Sequence, residues 1–145
     1  MKKIAILFVL LVIQSNISAQ PYNISDFVGN WTGQWDNTTF GSTGSTTMTL
    51  TSDATNMTAQ MILDMNGNVL GGADPAPMTL DGTYTATEFT VSATTDLFGE
   101  FTLSVNSQGV LTGQGINVPN TFIDRVDFSG TATPMEITIN YIVPR

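Results

Sequence analysis

The chain contains no histidine and no cysteine among its 145 residues. A Cys/His zinc site, a Ser-His-Asp or Cys-His nucleophile pair, a haem held by His or Cys, and a disulfide framework are therefore all excluded. Charge is scarce as well, with 11% of residues charged and 4 Lys and Arg set against 12 Asp and Glu, for a net charge of −8. A surface of that sign repels phosphate backbones and anionic headgroups, which excludes nucleic acid as a partner. Also missing is any apolar repeat at helical spacing after residue 28. Whatever this protein does falls to carboxylates, hydroxyls, amides and apolar walls, and neither a cofactor nor a metal site is read from them.

What is present begins with an export signal. Lys2 and Lys3 precede the unbroken apolar run Ile4 to Ile13, and Ile17-Ser18-Ala19 ends on a small residue suited to cleavage. The run is too short for the ~20 residues a bilayer-spanning helix needs. Residues 1–19 are thus expected to be a signal peptide cleaved near Ala19. The remaining 20–145 then form one secreted or periplasmic domain, of bacterial type, that keeps only Arg125 and Arg145 as cations.

Along that domain, apolar and polar residues alternate. Trp31, Gly33 and Trp35 share one phase, as do Met48 and Leu50, then Met57, Ala59, Met61 and Leu63, then Met78, Leu80, Gly82, Tyr84 and Ala86. Phe89, Val91 and Ala93 continue the pattern, followed by Phe101, Leu103 and Val105, by Val126 and Phe128, and by Ile137, Ile139 and Tyr141. Period-two alternation is the mark of half-buried strands. Turn signals such as Ser52-Asp53-Ala54-Thr55, Asn66-Gly67, Asp96 to Gly99 and Ser107-Gln108-Gly109 separate the runs at hairpin spacing. The pattern predicts an all-β fold, an antiparallel up-and-down barrel of about 8–10 strands, with a β-sandwich as the alternative; closure removes exposed edges. Two longer connections, Asn66 to Pro77 and Gly115 to Thr121, are placed to shape the barrel mouth.

The head of the first strand carries a short signature. In Ile24-Ser25-Asp26-Phe27-Val28-Gly29-Asn30-Trp31, a turn with Phe27 leads into Gly29-X-Trp31. This resembles the Gly-X-Trp start of the calycin superfamily, the lipocalins and their avidin-like and fatty-acid-binding relatives. The resemblance implies that the turn plugs one end of the barrel, that Trp31 fills its floor, and that the interior takes a small, often apolar, molecule. Gly29 and Trp31 are the only residues it transfers, both structural. Departures are plain: the chain lacks the usual disulfides and a helix after the barrel, and Arg125 lies in the outward phase of its strand. No ligand-contacting pattern of the avidins is present.

Seven inward positions, Trp35, Met61, Tyr84, Phe89, Phe101, Phe128 and Tyr141, are the candidates to line a ligand cavity; the competing reading is that they fill the core of a narrow barrel. Asp64, Asn66 and Asn68, with Asp74 beyond, have the spacing of a Ca²⁺ loop, but Val69 and Pro75 occupy positions such a loop would not use, and an Asn-Gly turn accounts for them better. Arg125 between Asp124 and Asp127 reads as an exposed ion pair rather than an anion anchor. Leu97-Phe98 in a turn either gates the mouth or folds back onto the core. Thr46, Thr47, Thr49 and Thr51 read as an ordinary exposed strand face.

The function expected is that of a lipocalin-like binding protein for a small hydrophobic molecule. Two alternatives stand beside it: a structural or adhesion envelope protein with a filled barrel, and a carboxylate-dependent barrel cyclase or isomerase, which needs an acid inside. Stable membrane insertion is not expected, since a lipid-embedded barrel would turn its apolar face outward and fill its lumen with threonine. Oligomeric state is not legible.

Overall fold

A computed structural model of the protein describes residues 22–144. The expected signal peptide, residues 1–19, lies outside the described residues. A 3₁₀ turn at Ile24–Phe27 is followed by nine strands: β1 Gly29–Asn37, β2 Ser42–Asp53, β3 Thr58–Met65, β4 Met78–Tyr84, β5 Glu88–Thr95, β6 Gly99–Asn106, β7 Val110–Ile116, β8 Arg125–Thr133 and β9 Glu136–Ile142. They form one closed barrel in sequence order, so the sandwich alternative is set aside.

Each strand pairs antiparallel with the next, and the circle closes through a parallel pairing of β1 with β9, from Thr32 opposite Glu136 to Asn37 opposite Tyr141. The barrel is thus antiparallel, as the sequence predicts, at every pairing but this seam. The cause of the seam is parity: strands that alternate in direction bring the first and the ninth round in the same sense. The approach at this seam is close. A Cβ on Gly33 would overlap the carbonyl of Ile137, so β1 can lie against β9 only with glycine there.

Alternation sorts the side chains as expected, with Leu50, Met61, Leu63, Leu80, Val91, Leu103, Leu111, Val126 and Ile139 all fully buried inside. The exceptions are local. Met57 sits in the β2–β3 turn with φ of 55° and is exposed, and Ala86 lies beyond the end of β4. Thr46 falls in the inward phase of β2, where its hydroxyl donates to the carbonyl of Asp64 at 2.8 Å, so it is no part of an exposed threonine face. The wall is least complete between β4 and β5, where pairing is confined to Asp81–Tyr84 against Ser92–Phe89.

The end at which β1 starts is closed by short turns and by the N-terminal segment. Asp26 accepts from the backbone N–H of Asn23 at 3.2 Å and holds the 3₁₀ turn, which buries Ile24 and Phe27. Phe27 stacks on Trp31 with ring centroids 5.3 Å apart, and the indole Nε1 of Trp31 donates to the Phe27 carbonyl at 2.9 Å. Gly29, at φ of 136°, makes the bend that brings the turn back under the strand it has just entered. Tyr22 ties the segment to the β6–β7 turn through its N–H and the Ser107 carbonyl, 2.7 Å apart. The opposite end carries the longer connections, residues 66–77 and 117–124, together with the β1–β2 turn and the segment after β9.

Candidate functional site

The seven residues expected around a ligand are distributed through the barrel rather than around one space. Trp35, Phe101, Phe128 and Tyr141 meet beneath the long-loop end, joined there by Phe98. Their rings lie close: Trp35 to Tyr141 5.8 Å, Phe128 to Tyr141 5.6 Å, Phe101 to Phe128 5.0 Å, and Phe98 edge-on to Phe128 at 4.9 Å. Tilted and edge-to-face rings at these separations are a packed aromatic layer. Phe89 belongs to the other end, 6.2 Å from Phe27, and Met61 is fully buried. Tyr84 is only half-buried, opposite Phe89, and lies outside both layers. The Leu97-Phe98 turn resolves in favour of the core, because Phe98 is fully buried and its N–H is capped by Thr95 Oγ1 at 2.9 Å.

Above the aromatic layer a cleft of about 620 Å³ opens at the barrel mouth, and none of the seven lines it. Four segments distant in sequence contribute: Asn37, Thr39, Phe40 and Ser42 around the β1–β2 turn, Asn68, Leu70 and Gly71 from the β3–β4 loop, Asn120, Phe122 and Ile123 from the β7–β8 loop, and Val143 and Pro144 after β9. Ile123 and Val143 are buried, whereas Phe40 is 64% and Phe122 is 93% exposed, two aromatic side chains held out at the rim. Among the described residues, none that lines it is charged.

Each segment is held by local chemistry. Asn37 is buried, and its Oδ1 accepts from the N–H groups of Thr39 at 3.0 Å and Phe40 at 3.1 Å, an Asx turn that sets the direction of Phe40. Thr39 Oγ1 accepts from the N–H of Val143 at 2.8 Å, joining the β1–β2 turn to the segment after β9. Across the mouth, Asn120 Oδ1 accepts from the N–H of Phe122 at 2.9 Å.

The β3–β4 loop is fastened to the closing seam by two aromatic donors. Trp35 Nε1 of β1 donates to the Asn66 carbonyl at 2.9 Å, and the Tyr141 hydroxyl of β9 donates to the carbonyl of Val69, which is itself buried. Burial pushes the Tyr141 hydroxyl up to about 12, against a smaller opposing effect from the Asn37 and Ser42 side chains that face it. Tyr141 is therefore a neutral donor at any physiological pH.

The remaining sequence candidates fall elsewhere. Asn66-Gly67 does not close a tight hairpin but opens the 66–77 loop, with the N–H of Gly67 bound by Asp74 Oδ1 at 2.5 Å. The Asn66 carbonyl and the Asp74 carboxylate are thus both engaged within the protein, and no group of three acids is gathered among the described residues. Arg125 is exposed on the outer face and paired with Asp127 at 2.6 Å. Among the described residues the buried polar side chains are Asn37 and Thr46, so no carboxylate stands desolvated inside the barrel as a general acid or base.

Phe40 and Phe122 escaped the sequence reading because alternation finds only strand residues. The signal that flagged Leu97-Phe98, a large apolar residue in a turn, applies equally to Thr39-Phe40-Gly41 and to Thr121-Phe122. Comparison of the chain with protein families, with curated proteins and with solved structures yields no match.

Proposed function

We propose that the protein is a binding module, acting outside the cytoplasm after signal cleavage near Ala19, which takes a small, mainly apolar molecule at its mouth. The observation that carries this reading is the pair Phe40 and Phe122, held out by Asx turns at the rim of a cleft floored by Ile123 and Val143. Exposed aromatics around an apolar hollow are costly to leave in water and are a usual feature of ligand sites. This reading puts the ligand at the mouth, above the packed rings of Phe98, Phe101, Phe128 and Tyr141, rather than among them.

The plugged floor with Trp31 bound to the Phe27 carbonyl supports a calycin-like kinship for the scaffold, although nine strands with a parallel seam differ from the eight of lipocalins. Apolar side chains turned inward favour a water-surrounded barrel over a lipid-embedded one.

The test is fluorescence titration with the neutral probe N-phenyl-1-naphthylamine. The wild type should enhance and saturate its emission, and Phe122→Ser and Phe40→Ser should each weaken binding about fivefold or more, the loss expected from removing one well-packed aromatic contact. Probe binding that is absent, or indifferent to both substitutions while the folds remain intact, refutes the reading.

A further inference from the structure

We infer that the mouth cleft selects an uncharged amphiphile, such as a long-chain alcohol, ketone or ester, and discriminates against the carboxylate of the same chain length. The inference rests on the proposed binding role and narrows it to a ligand class.

Two observations carry it. First, among the described residues the polar lining consists of amides and hydroxyls alone, from Asn37, Thr39, Ser42, Asn68 and Asn120, with no Lys or Arg. A carboxylate moved into this apolar hollow would lose its hydration and gain no counter-charge, whereas a hydroxyl or carbonyl oxygen needs only a hydrogen-bond donor. Such donors are available. Asn120 spends its Oδ1 on the N–H of Phe122, leaving its amide N–H groups for other partners.

Second, Arg125, the only cationic side chain among the described residues, stands on the outer face with its Nε engaged by Asp127. The chain as a whole carries a net charge of −8. Its field therefore opposes the approach of an anion and leaves a neutral molecule unaffected. Arg145 follows Pro144 in the sequence and lies outside the described residues, so the experiment must test it directly.

The experiment displaces N-phenyl-1-naphthylamine from the purified protein with submicellar 1-decanol and with decanoate at pH 8, in the wild type and in Arg145→Gln. Half-displacement by decanol at a concentration at least tenfold below that of decanoate, in both proteins, is the expected result. Equal or stronger displacement by decanoate in both proteins overturns the selectivity and leaves the binding role standing. Decanoate that competes in the wild type and fails in Arg145→Gln also overturns it, by placing a counter-charge at the C-terminal residue. If the probe itself does not bind, the binding role fails and the selectivity with it.

Discussion

Replacing Gly33 with alanine should open the barrel at its closing seam. The new Cβ would fall on the carbonyl of Ile137, far inside the 3.0 Å that such atoms essentially never cross, and its next neighbour would be Ile137 Cγ2 at 2.9 Å. The first obstacle is backbone, which cannot rotate away. Relief requires β1 to move off β9 by on the order of an ångström, enough to break two or three hydrogen bonds of the Thr32–Asn37 ladder. At about 1 kcal/mol each, plus the loss of packing around Trp35, the cost is about 3 kcal/mol. That is a large share of the roughly 5–15 kcal/mol that holds a domain folded.

Urea unfolding followed through the two buried indoles, Trp31 and Trp35, reads it directly. With a slope of about 1.5 kcal/mol per molar urea, the midpoint should fall by roughly 2 M, or the variant should not fold at all. Gly72→Ala is the control, since a Cβ there meets nothing within 4 Å and the backbone is not in the left-handed region; it should stay within about 0.5 kcal/mol of wild type. A Gly33→Ala protein as stable as the control would refute the register assigned to the β1–β9 seam.

Trp31→Phe keeps a ring stacked on Phe27 but removes the donor to its carbonyl, and should cost about 2 kcal/mol or more in the same urea assay, through an unpaired buried carbonyl and a vacated volume. A neutral result would mean that the 3₁₀ plug does not depend on the indole. Tyr141 supplies a pH test. Because its hydroxyl is held neutral well above the usual value of 10.0, its contribution is fully present below pH 10 and is lost as the pH rises towards about 12. Between pH 9 and pH 11.5 the urea midpoint should therefore fall in the wild type by an amount worth up to roughly 2 kcal/mol, and by less in Tyr141→Phe; equal falls would show that the tyrosine is not titrating from a buried site.

Much of the architecture was legible because a strand writes its two faces directly into alternating residues. Phe101, Leu103 and Val105, or Ile137, Ile139 and Tyr141, could be assigned inward with no knowledge of their neighbours, and all six are buried. Legibility failed where backbone geometry leaves the pattern. Met57 shares the phase of Ala59 but belongs to a turn with positive φ, and Thr46 shares the phase of Met48 although its hydroxyl suggested the outside. A buried threonine is tolerable when a carbonyl receives its proton, and that partner, Asp64 on β3, becomes visible only once the strands are in register.

By itself the sequence determined the all-β class, the inward and outward faces, and the absence of His and Cys chemistry, since these follow from local alternation and composition. It also marked the plug, because Phe27, Gly29 and Trp31 are near neighbours in the chain and their contact is local. The number of strands that close, the parallel sense of the final seam, and the packing of Trp35, Phe101, Phe128 and Tyr141 into an aromatic layer were decided by tertiary structure. So was the mouth cleft. Phe40, Leu70, Phe122 and Val143 are separated by tens of residues and carry no shared period, and they become one surface only when β1 meets β9 and the loops are drawn over the barrel's end.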